Sequence, residues 1–373
     1  MKKITIFTMQ LKTPGGIERF VSTLSEMFSN DYAVEIVANY GKASDTLAFP
    51  LPKNVKVIFL TSNQPKEISM KKILLGLKWH RIPKELVRRK KIDSTREKVF
   101  KNFLQTLNTD YIITDRAVFS SLIGKYYHGN AVKIATDHNY HQNNPVYIKE
   151  LIESVNGFNH LVVATDELKE FYTSRTAVKC HKINNPLANI PVEKAALDTD
   201  NIISVGRFVP EKDFETLVDV MAIVHRKLPQ AHLTIIGDGI TFDYVSRKVK
   251  TMGLEDVISL PGFMTQDKIA EYYYNSSLFV LTSRTEAFGL VLTEAMSYGL
   301  PCIAFSRASG ARAQINSRNG YLIKEDDIFE MADKIIFALN NKEKLKTVQG
   351  VINQDINNYS QGSVRQAWDK ILA

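Results

Sequence analysis

The sequence predicts an α/β protein with two domains whose parallel sheets face each other across a cleft. The chain has 373 residues, about twice the usual size of one domain, which predicts two domains. Short runs rich in β-branched residues alternate with helical patterns along almost the whole chain, and this alternation is typical of βαβ units. A stretch with two prolines and no clear periodicity separates two sets of strands.

The strands are predicted from short apolar runs bounded by turn residues. In the first half they are 4–8, 34–38, 55–59, 111–114, 133–136 and 160–164. In the second half they are 202–205, 232–236, 257–260, 278–281 and 301–305. We therefore place a first domain at residues 1–185, a linker at 186–200 and a second domain at 201–357.

Composition narrows the class of protein. Apolar residues make up 44% and charged residues 24%, as in a soluble globular enzyme. No apolar run reaches the roughly 18 residues of a membrane span, and the first residues are typical of a strand, not a signal peptide. Cys180 and Cys302 are the only cysteines, too few for a disulfide framework or a zinc site. The predicted compartment is the reducing cytosol.

The net charge of +8 is concentrated in one segment. The stretch from Lys66 to Lys101 holds thirteen lysines and arginines and four acids, a net of +9, with leucines and Trp79 among them. Such a helix-forming basic segment suits either an anionic membrane surface or a solvated helix face. No nucleic-acid-reading motif accompanies it, so nucleic acid is not a predicted partner. If the segment contacts the membrane, the protein is predicted to be a peripheral membrane protein at the inner face of the cell membrane.

Ligands of such sheets bind at the carboxyl ends of strands, so the loops that follow strands carry the chemistry. Gly15 and Gly16 follow the first strand and allow close approach of backbone to an anion, although glycines also serve turn geometry alone. Arg207 and Lys212 follow the first strand of the second domain, where both can converge on one diphosphate or remain solvated.

The strongest pattern follows strand 278–281. Glu286 lies in the loop and Glu294 lies in the helix that begins near Gly289. Each carboxylate can accept two hydrogen bonds from a vicinal diol, and the amides of Phe288, Gly289 and Leu290 can meet a phosphate or sugar oxygen.

His138 follows strand 133–136 and can hydrogen-bond a sugar hydroxyl or serve a structural contact. His141 lies three residues on, but no third ligand of suitable spacing accompanies the pair, so no metal site is predicted. Asp198 and Asp200 match a manganese-binding pattern, yet no apolar strand leads into them. Gly237-Asp238-Gly239 lacks the third glycine of a dinucleotide fingerprint.

Together these motifs resemble the retaining, glycogen-synthase-like glycosyltransferases of family four, which have the GT-B fold of two Rossmann-like domains. The matching pieces occur in family order and are densest from residue 202 to residue 323. They are Gly15-Gly16-Ile17-Glu18, Asp137-His138-Asn139, Asn185-Pro186, Gly206-Arg207 with Lys212, Gly237-Asp238-Gly239, Pro261-Gly262-Phe263, Glu286 with Glu294, and Asn319-Gly320.

The resemblance implies a role for each matched residue. Arg207 and Lys212 would neutralise the donor diphosphate, with Gly15 and Gly16 closing over it from the first domain. Glu294 would hold the ribose hydroxyls. Glu286 would contact the transferred sugar, together with the backbone amides of Ala287, Phe288, Gly289 and Leu290. Phe263 and Met264 would receive the base. His138 would hydrogen-bond the donor sugar and border the acceptor pocket.

The implied activity is metal-independent, retaining transfer of a hexosyl unit from a UDP-sugar to a glycan or lipid-linked glycan acceptor, with no cofactor. A bacterial surface polysaccharide or glycoconjugate pathway is expected. The alternatives are a non-catalytic sugar-nucleotide-binding subunit and a sugar-nucleotide epimerase. Residues 358–373 resemble the family's closing helix that crosses back to the first domain. Residues 309–314 lack the family's glutamate and carry Arg312, so contacts at that edge of the donor site are expected to differ.

Overall fold

A computed structural model describes residues 1–62 and 82–373, without the side chain of residue 82. The elements of the first domain are β1 Lys3–Thr8, α1 Gly16–Phe28, β2 Ala33–Tyr40, β3 Lys56–Thr61, α2 Ile82–Thr106, β4 Tyr111–Thr114, α3 Ala117–Tyr126, β5 Val132–Asp137, α4 Pro145–Ser154, β6 His160–Val163, α5 Asp166–Thr173 and β7 Lys179–Lys182. Part of the basic stretch 66–101 therefore lies outside the described residues, and the rest lies on α2.

The second domain continues the alternation of strand and helix. Its elements are β8 Asn201–Val205, a 3₁₀ turn Pro210–Lys212, α6 Phe214–Lys227, β9 His232–Ile236, α7 Phe242–Thr251, β10 Ile258–Gly262, α8 Gln266–Tyr274, β11 Leu278–Leu281, α9 Leu290–Ser297, β12 Cys302–Phe305, α10 Ser309–Gln314, β13 Gly320–Ile323, α11 Ile328–Asn340, α12 Lys342–Asp355, a 3₁₀ turn Ile356–Tyr359 and α13 Gln361–Leu372.

Both sheets are parallel, which confirms the predicted fold class. The described strands of the first sheet run in the order β3-β2-β1-β4-β5-β6-β7, and those of the second in the order β10-β9-β8-β11-β12-β13. Each predicted strand is present within two residues at either end. The sheets also contain β7 and β13, which the sequence patterns did not predict.

Helices cover both faces of the first sheet. Ile4 and Ile6 of β1 point into a core formed with α1, whereas Phe7 points into a second core with Phe100 of α2. This alternation follows from the two-residue period of a strand and explains why strands covered on both faces are apolar throughout. Helix α13 joins the α1 side of the first sheet, where Trp368 is fully buried.

The second domain has one continuous core around its sheet. Within the described residues 186–200 the backbone forms neither helix nor strand, and Leu187 and Leu197 are buried in this second core. The boundaries predicted for the linker and the two domains stay predictions. What matters for the site is that the carboxyl ends of β1, β4 and β5 belong to one sheet, and those of β8, β10 and β11 to the other.

Candidate active site

The candidate site lies in the cleft between the carboxyl edges of the two sheets. The loop of Gly15 and Gly16 connects β1 to α1 in the first domain. A Cβ atom placed on Gly16 would lie 3.5 Å from Cδ1 of Leu290, the first residue of α9 in the second domain. The two domains therefore meet where the sequence predicts the donor diphosphate.

One ion pair joins two of the predicted residues. Strands β8 and β11 are neighbours, so the loops that follow them lie side by side. The Nζ of Lys212 donates a hydrogen bond to Oε1 of Glu286, which also accepts one from the Ser283 hydroxyl at 3.1 Å. The Lys212 and Glu286 side chains are only 16% and 13% exposed. Arg207 is exposed, and its guanidinium has no partner in the described part of the chain.

A second, buried ion pair fixes these two loops against each other. Asp213 directly follows Lys212 and has a left-handed backbone with φ +52°. Its carboxylate accepts a hydrogen bond from Arg307 at 2.7 Å, and Arg307 also donates to the carbonyl of Thr282 at 2.7 Å. The Thr282 hydroxyl donates back to the carbonyl of Asp213 at 3.0 Å. Sequence reasoning missed Asp213 and Arg307, because neither belongs to a motif.

The loop before α9 is held in place by α10. Gly289 caps α9 with φ +80°, a left-handed conformation that favours glycine. The Gln314 side-chain amide donates to the carbonyl of Phe288, and the Gly310 amide donates to the carbonyl of Glu286 at 2.8 Å. A Cβ on Gly310 would lie 2.1 Å from the Phe288 carbonyl oxygen, so only glycine fits there.

This arrangement leaves a row of unused donors at the start of α9. The backbone N–H groups of Ala287, Phe288, Gly289 and Leu290 donate to no acceptor in the described chain. Phe288 and Gly289 are buried, whereas Ala287 and Leu290 are partly exposed. Free amides at a helix N-terminus carry partial positive charge and are suited to an anionic or hydroxyl oxygen.

Glu294 is buried and bound by the other domain. It lies inside α9 with 7% of its surface exposed, and its Oε1 lies 2.6 Å from Nη1 of Arg19 on α1. Arg19 also donates to Oε1 of Gln266 at 2.7 Å. Sequence reasoning missed Arg19 and Gln266; the only signal was a cation directly after the Gly15-Gly16-Ile17-Glu18 motif.

The predicted base-binding segment flanks this contact. Phe263 and Met264 follow β10 and precede Gln266, the first residue of α8. The Phe263 side chain is 61% exposed and Met264 is partly buried. Their placement beside the Arg19–Gln266 contact brings them to the same part of the cleft as Glu294.

His138 follows β5 on the first-domain side of the cleft. Its Nε2 forms a hydrogen bond of 2.8 Å with the Thr136 hydroxyl, and its ring packs on Phe20 with centroids 4.3 Å apart. Burial, reinforced by the positive charge of Arg116, lowers the His138 pKa to about 3, so the imidazole is neutral at physiological pH. Its Nδ1 has no partner among the described residues.

Two buried acids lie at the same edge of the first sheet. Asp137 accepts a hydrogen bond of 2.5 Å from the Tyr147 hydroxyl, and burial raises its pKa to about 6. Asp115 follows β4 and is 2% exposed, and burial raises its pKa to about 7. Burial therefore favours the neutral form of both carboxyl groups more than in an exposed aspartate.

A second contact crosses the cleft on the linker side. Glu167 of α5 accepts hydrogen bonds from Arg312 at 2.7 Å and from Ser309 at 3.0 Å. A cavity of about 300 Å³ lies next to it, between the two domains, and Phe288 and Gln314 line its second-domain side. Arg312, which stands where the family pattern differs, is thus part of an interdomain ion pair.

Within residues 1–62 and 82–373, no three histidine, cysteine, aspartate or glutamate side chains are grouped so that they could hold a metal ion. Asp200, part of the manganese-like pattern, is instead bound by Lys342 at 2.7 Å. In the same ranges, no helix is both long and apolar enough to cross a membrane.

Sequence comparison places the chain among sugar transferases. The family model described as Glycosyl transferases group 1 matches residues 188–349. An uncharacterized glycosyltransferase of Haemophilus influenzae is 26% identical over 383 residues, which cover the whole of both chains. The amylovoran biosynthesis glycosyltransferase AmsD of Erwinia amylovora is 25% identical over 384 residues, again covering both chains. A poly(ribitol-phosphate) α-N-acetylglucosaminyltransferase of Staphylococcus aureus is 29% identical over 65% of this chain, which spans 50% of that enzyme.

Comparison of structures gives the same fold. Staphylococcal TarM superposes with a TM-score of 0.82 at 18% identity, covering 100% of this chain and 99% of that one. HepE of Anabaena, solved with UDP and glucose, superposes with a TM-score of 0.74 at 18% identity over 100% of this chain and 99% of HepE. The resemblance seen in the sequence is confirmed: the chain has the GT-B fold, and its residues 188–349 match the glycosyl transferases of group 1.

Proposed function

We propose that the protein is a metal-independent, retaining hexosyltransferase that takes its sugar from UDP-glucose, UDP-galactose or UDP-N-acetylglucosamine. The observation that carries this proposal is the convergence of the Lys212–Glu286 pair with the free amides at the start of α9, opposite Gly16. A cation, a carboxylate and a row of N–H donors at one point suit a sugar bonded to a diphosphate.

The cations and the helix N-terminus act on the leaving group. During transfer the bond between the anomeric carbon and the β-phosphate oxygen breaks, and negative charge grows on the diphosphate. Arg207 and Lys212 face that charge from the β8 loop, and the amides of Gly289 and Leu290 add partial positive charge. These groups neutralise the leaving UDP, so the proposal needs no metal ion.

Glu286 and His138 act on the sugars. Glu286, oriented by Lys212 and Ser283, accepts hydrogen bonds from hydroxyls of the transferred hexose. Neutral His138 presents its free Nδ1 to a sugar hydroxyl. The acceptor oxygen attacks from the same face as the departing phosphate, which receives the acceptor proton, so the anomeric configuration is retained.

The relatives support the donor and the acceptor class. HepE and TarM were solved with UDP bound, which favours a UDP-sugar donor. The staphylococcal and Erwinia relatives are named for poly(ribitol-phosphate) and amylovoran, both bacterial polymers. We infer that the acceptor is a growing glycan or lipid-linked glycan in bacterial surface polysaccharide or glycoconjugate synthesis.

Contact with an anionic membrane surface is part of the proposal and would place the enzyme at the cytoplasmic face. On α2 the side chains of Leu86 and Val87 are 54% and 69% exposed, and Lys84, Lys90 and Lys91 are exposed nearby. Each cation near such a surface contributes about 1 kcal/mol. Flotation with vesicles of anionic and of neutral lipid tests this: anionic, salt-sensitive flotation is expected, and a protein that stays in solution at low salt contradicts it.

The catalytic proposal is tested by nucleotide release from UDP-, GDP- and ADP-sugars in the presence of a chelator. Slow release from one UDP-sugar is expected. Glu286→Gln should reduce it by about 10²–10³-fold, since one transition-state contact is lost. Glu255→Gln, an exposed carboxylate that precedes the amino end of β10 at the opposite edge of the sheet, is the matched control and should leave the rate unchanged.

The panel of nucleotide sugars distinguishes a metal-independent transferase, a non-catalytic subunit and a metal-dependent enzyme. Release from a UDP-sugar with chelator present supports metal-independent turnover, and the anomeric configuration of the product tests retention. Binding of UDP without turnover, even with lipid-linked acceptors added, would favour the non-catalytic subunit. Release that needs a divalent cation would refute the metal-independent mechanism.

A further inference from the structure

Glu294 obtains its counter-charge from the opposite domain. The carboxylate is 7% exposed and belongs to α9, whereas Arg19, 2.6 Å away, belongs to α1. A buried carboxylate needs a partner to remain ionised, because burial disfavours the charged form. In this chain that partner is present only when the two domains are in contact.

The other groups that face Glu294 do not replace Arg19. Lys212 lies close enough to favour the carboxylate electrostatically, but its Nζ is engaged with Glu286. Tyr273 of α8 and Tyr298, just beyond α9, also face it, and both are neutral groups whose own pKa values are raised by burial. Burial raises the Glu294 pKa, and Arg19 is the strongest opposing influence.

The contact leaves room for a ligand. Arg19 uses one nitrogen, Nη1, to reach both Oε1 of Glu294 and Oε1 of Gln266. The second carboxylate oxygen, Oε2 of Glu294, has no partner in the described residues. Gln266, the first residue of α8, lies two residues beyond Met264 of the predicted base-binding segment. Arg19 therefore bridges the ribose-binding and base-binding parts of the second domain.

We propose that Arg19 is a positioning residue of the donor site: it keeps Glu294 ionised and oriented to accept the ribose hydroxyls, so that the nucleotide subsite is complete only when the first domain is closed on the second. This inference rests on the proposed function, because it takes the donor to be a nucleotide with a ribose. If Arg19 only held the two domains together, its loss would weaken binding equally for ligands with and without the ribose 2′-hydroxyl.

Calorimetric titration of the full chain with UDP provides the test. Arg19→Gln should weaken UDP binding about ten- to a hundred-fold, as expected when Glu294 loses its charge-assisted hydrogen bonds to the ribose. Arg19→Lys should recover part of the lost affinity. The matched control is Arg226→Gln, an exposed arginine on α6 that, among the described residues, bonds only to its own helix backbone. Melting curves check that every variant is folded.

Three further titrations separate positioning from a structural role. Glu294→Gln has no charge to stabilise, so the double variant Arg19→Gln/Glu294→Gln should bind UDP no more weakly than Glu294→Gln alone. With 2′-deoxy-UDP, Arg19→Gln should cost less than it does with UDP. The defect of Arg19→Gln should also grow as pH falls from 8 to 6, since Glu294 without its arginine protonates more readily.

Failure of this inference is distinct from failure of the proposed function. A wild-type protein that binds no UDP would refute the donor itself. Wild-type binding of UDP with equal affinity in Arg19→Gln, or additive losses in the double variant, would overturn the role of Arg19 and leave the proposed function standing. If Arg19→Gln does not fold, the same comparison of UDP with 2′-deoxy-UDP is made with Arg19→Lys, and an equal loss for both ligands would contradict the proposal.

Discussion

Asp213→Asn should lower the free energy of unfolding by about 2–3 kcal/mol. The carboxylate is 4% exposed and neutralises Arg307, which is 9% exposed. Removing one partner of a buried pair costs about 3–5 kcal/mol. The loss is smaller here because Arg307 keeps the carbonyl of Thr282 and the carboxylate of Asp326. Asparagine matches the size of aspartate and tolerates φ +52°, so the change isolates the charge.

The same arginine offers a matched control. Asp326 also pairs with Arg307, but its carboxylate is 70% exposed, and an exposed pair is worth about 0–1 kcal/mol. Asp326→Asn should therefore cost less than half as much as Asp213→Asn. Urea unfolding followed by far-UV circular dichroism measures both. Equal losses for the two variants would show that burial of the pair does not set its contribution.

Three other outcomes are expected. Gly310→Ala should reduce the rate of nucleotide release more than a hundredfold, because its Cβ would meet the Phe288 carbonyl that positions α9. Gly350→Ala should leave the rate unchanged, because no atom of the described residues lies within 4 Å of a Cβ there. Steady-state kinetics on both variants decide this. Folding lowers the His138 pKa from 6.5 to about 3, so between these pH values the unfolded chain binds a proton that the folded chain does not, and the free energy of unfolding falls as pH falls. Between pH 6.5 and 4.5 the wild type should lose about 2 kcal/mol more than His138→Gln. Urea unfolding at several pH values measures this, and an equal pH dependence for the two proteins would contradict it. Arg312→Glu should weaken the interdomain contact with Glu167 and increase the rate at which a protease cleaves within residues 186–200. The charge swap Arg312→Glu/Glu167→Arg should restore protection from the protease. A swap that is cleaved as fast as the single variant would refute the pairing.

Sequence patterns predicted most of the sheet because its central strands are covered on both faces and must be apolar. The two strands that patterns missed lie at sheet edges. β7 reads Lys179–Lys182 with one cysteine and one histidine between the lysines, and β13 begins at the glycine of an Asn-Gly turn. The polar composition of β7 carries little apolar signal, and β13 offers only the three-residue run Tyr321-Leu322-Ile323, which is shorter than the runs of four or more residues that predict a strand.

The sequence predicted contacts of the candidate site only where both residues belong to the same domain. Lys212 and Glu286 both follow strands of one sheet, so topology alone brings their loops together. Arg19 with Glu294 and Glu167 with Arg312 pair across the cleft, and no periodicity or spacing in one chain reports which loops of separate sheets will face each other. Roles assigned to single residues from the family resemblance stay predictions until the variants are measured.

The return of α13 to the first sheet has a consequence for how the protein is made. Trp368 packs against Phe28 with ring centroids 5.9 Å apart, and the Tyr111 hydroxyl donates a hydrogen bond to the carbonyl of Leu372. The ribosome therefore completes every strand of both sheets before it delivers the helix that seals the first core. The second domain is the first that can reach its final form during synthesis, while the domain translated earliest must wait with part of its apolar face uncovered.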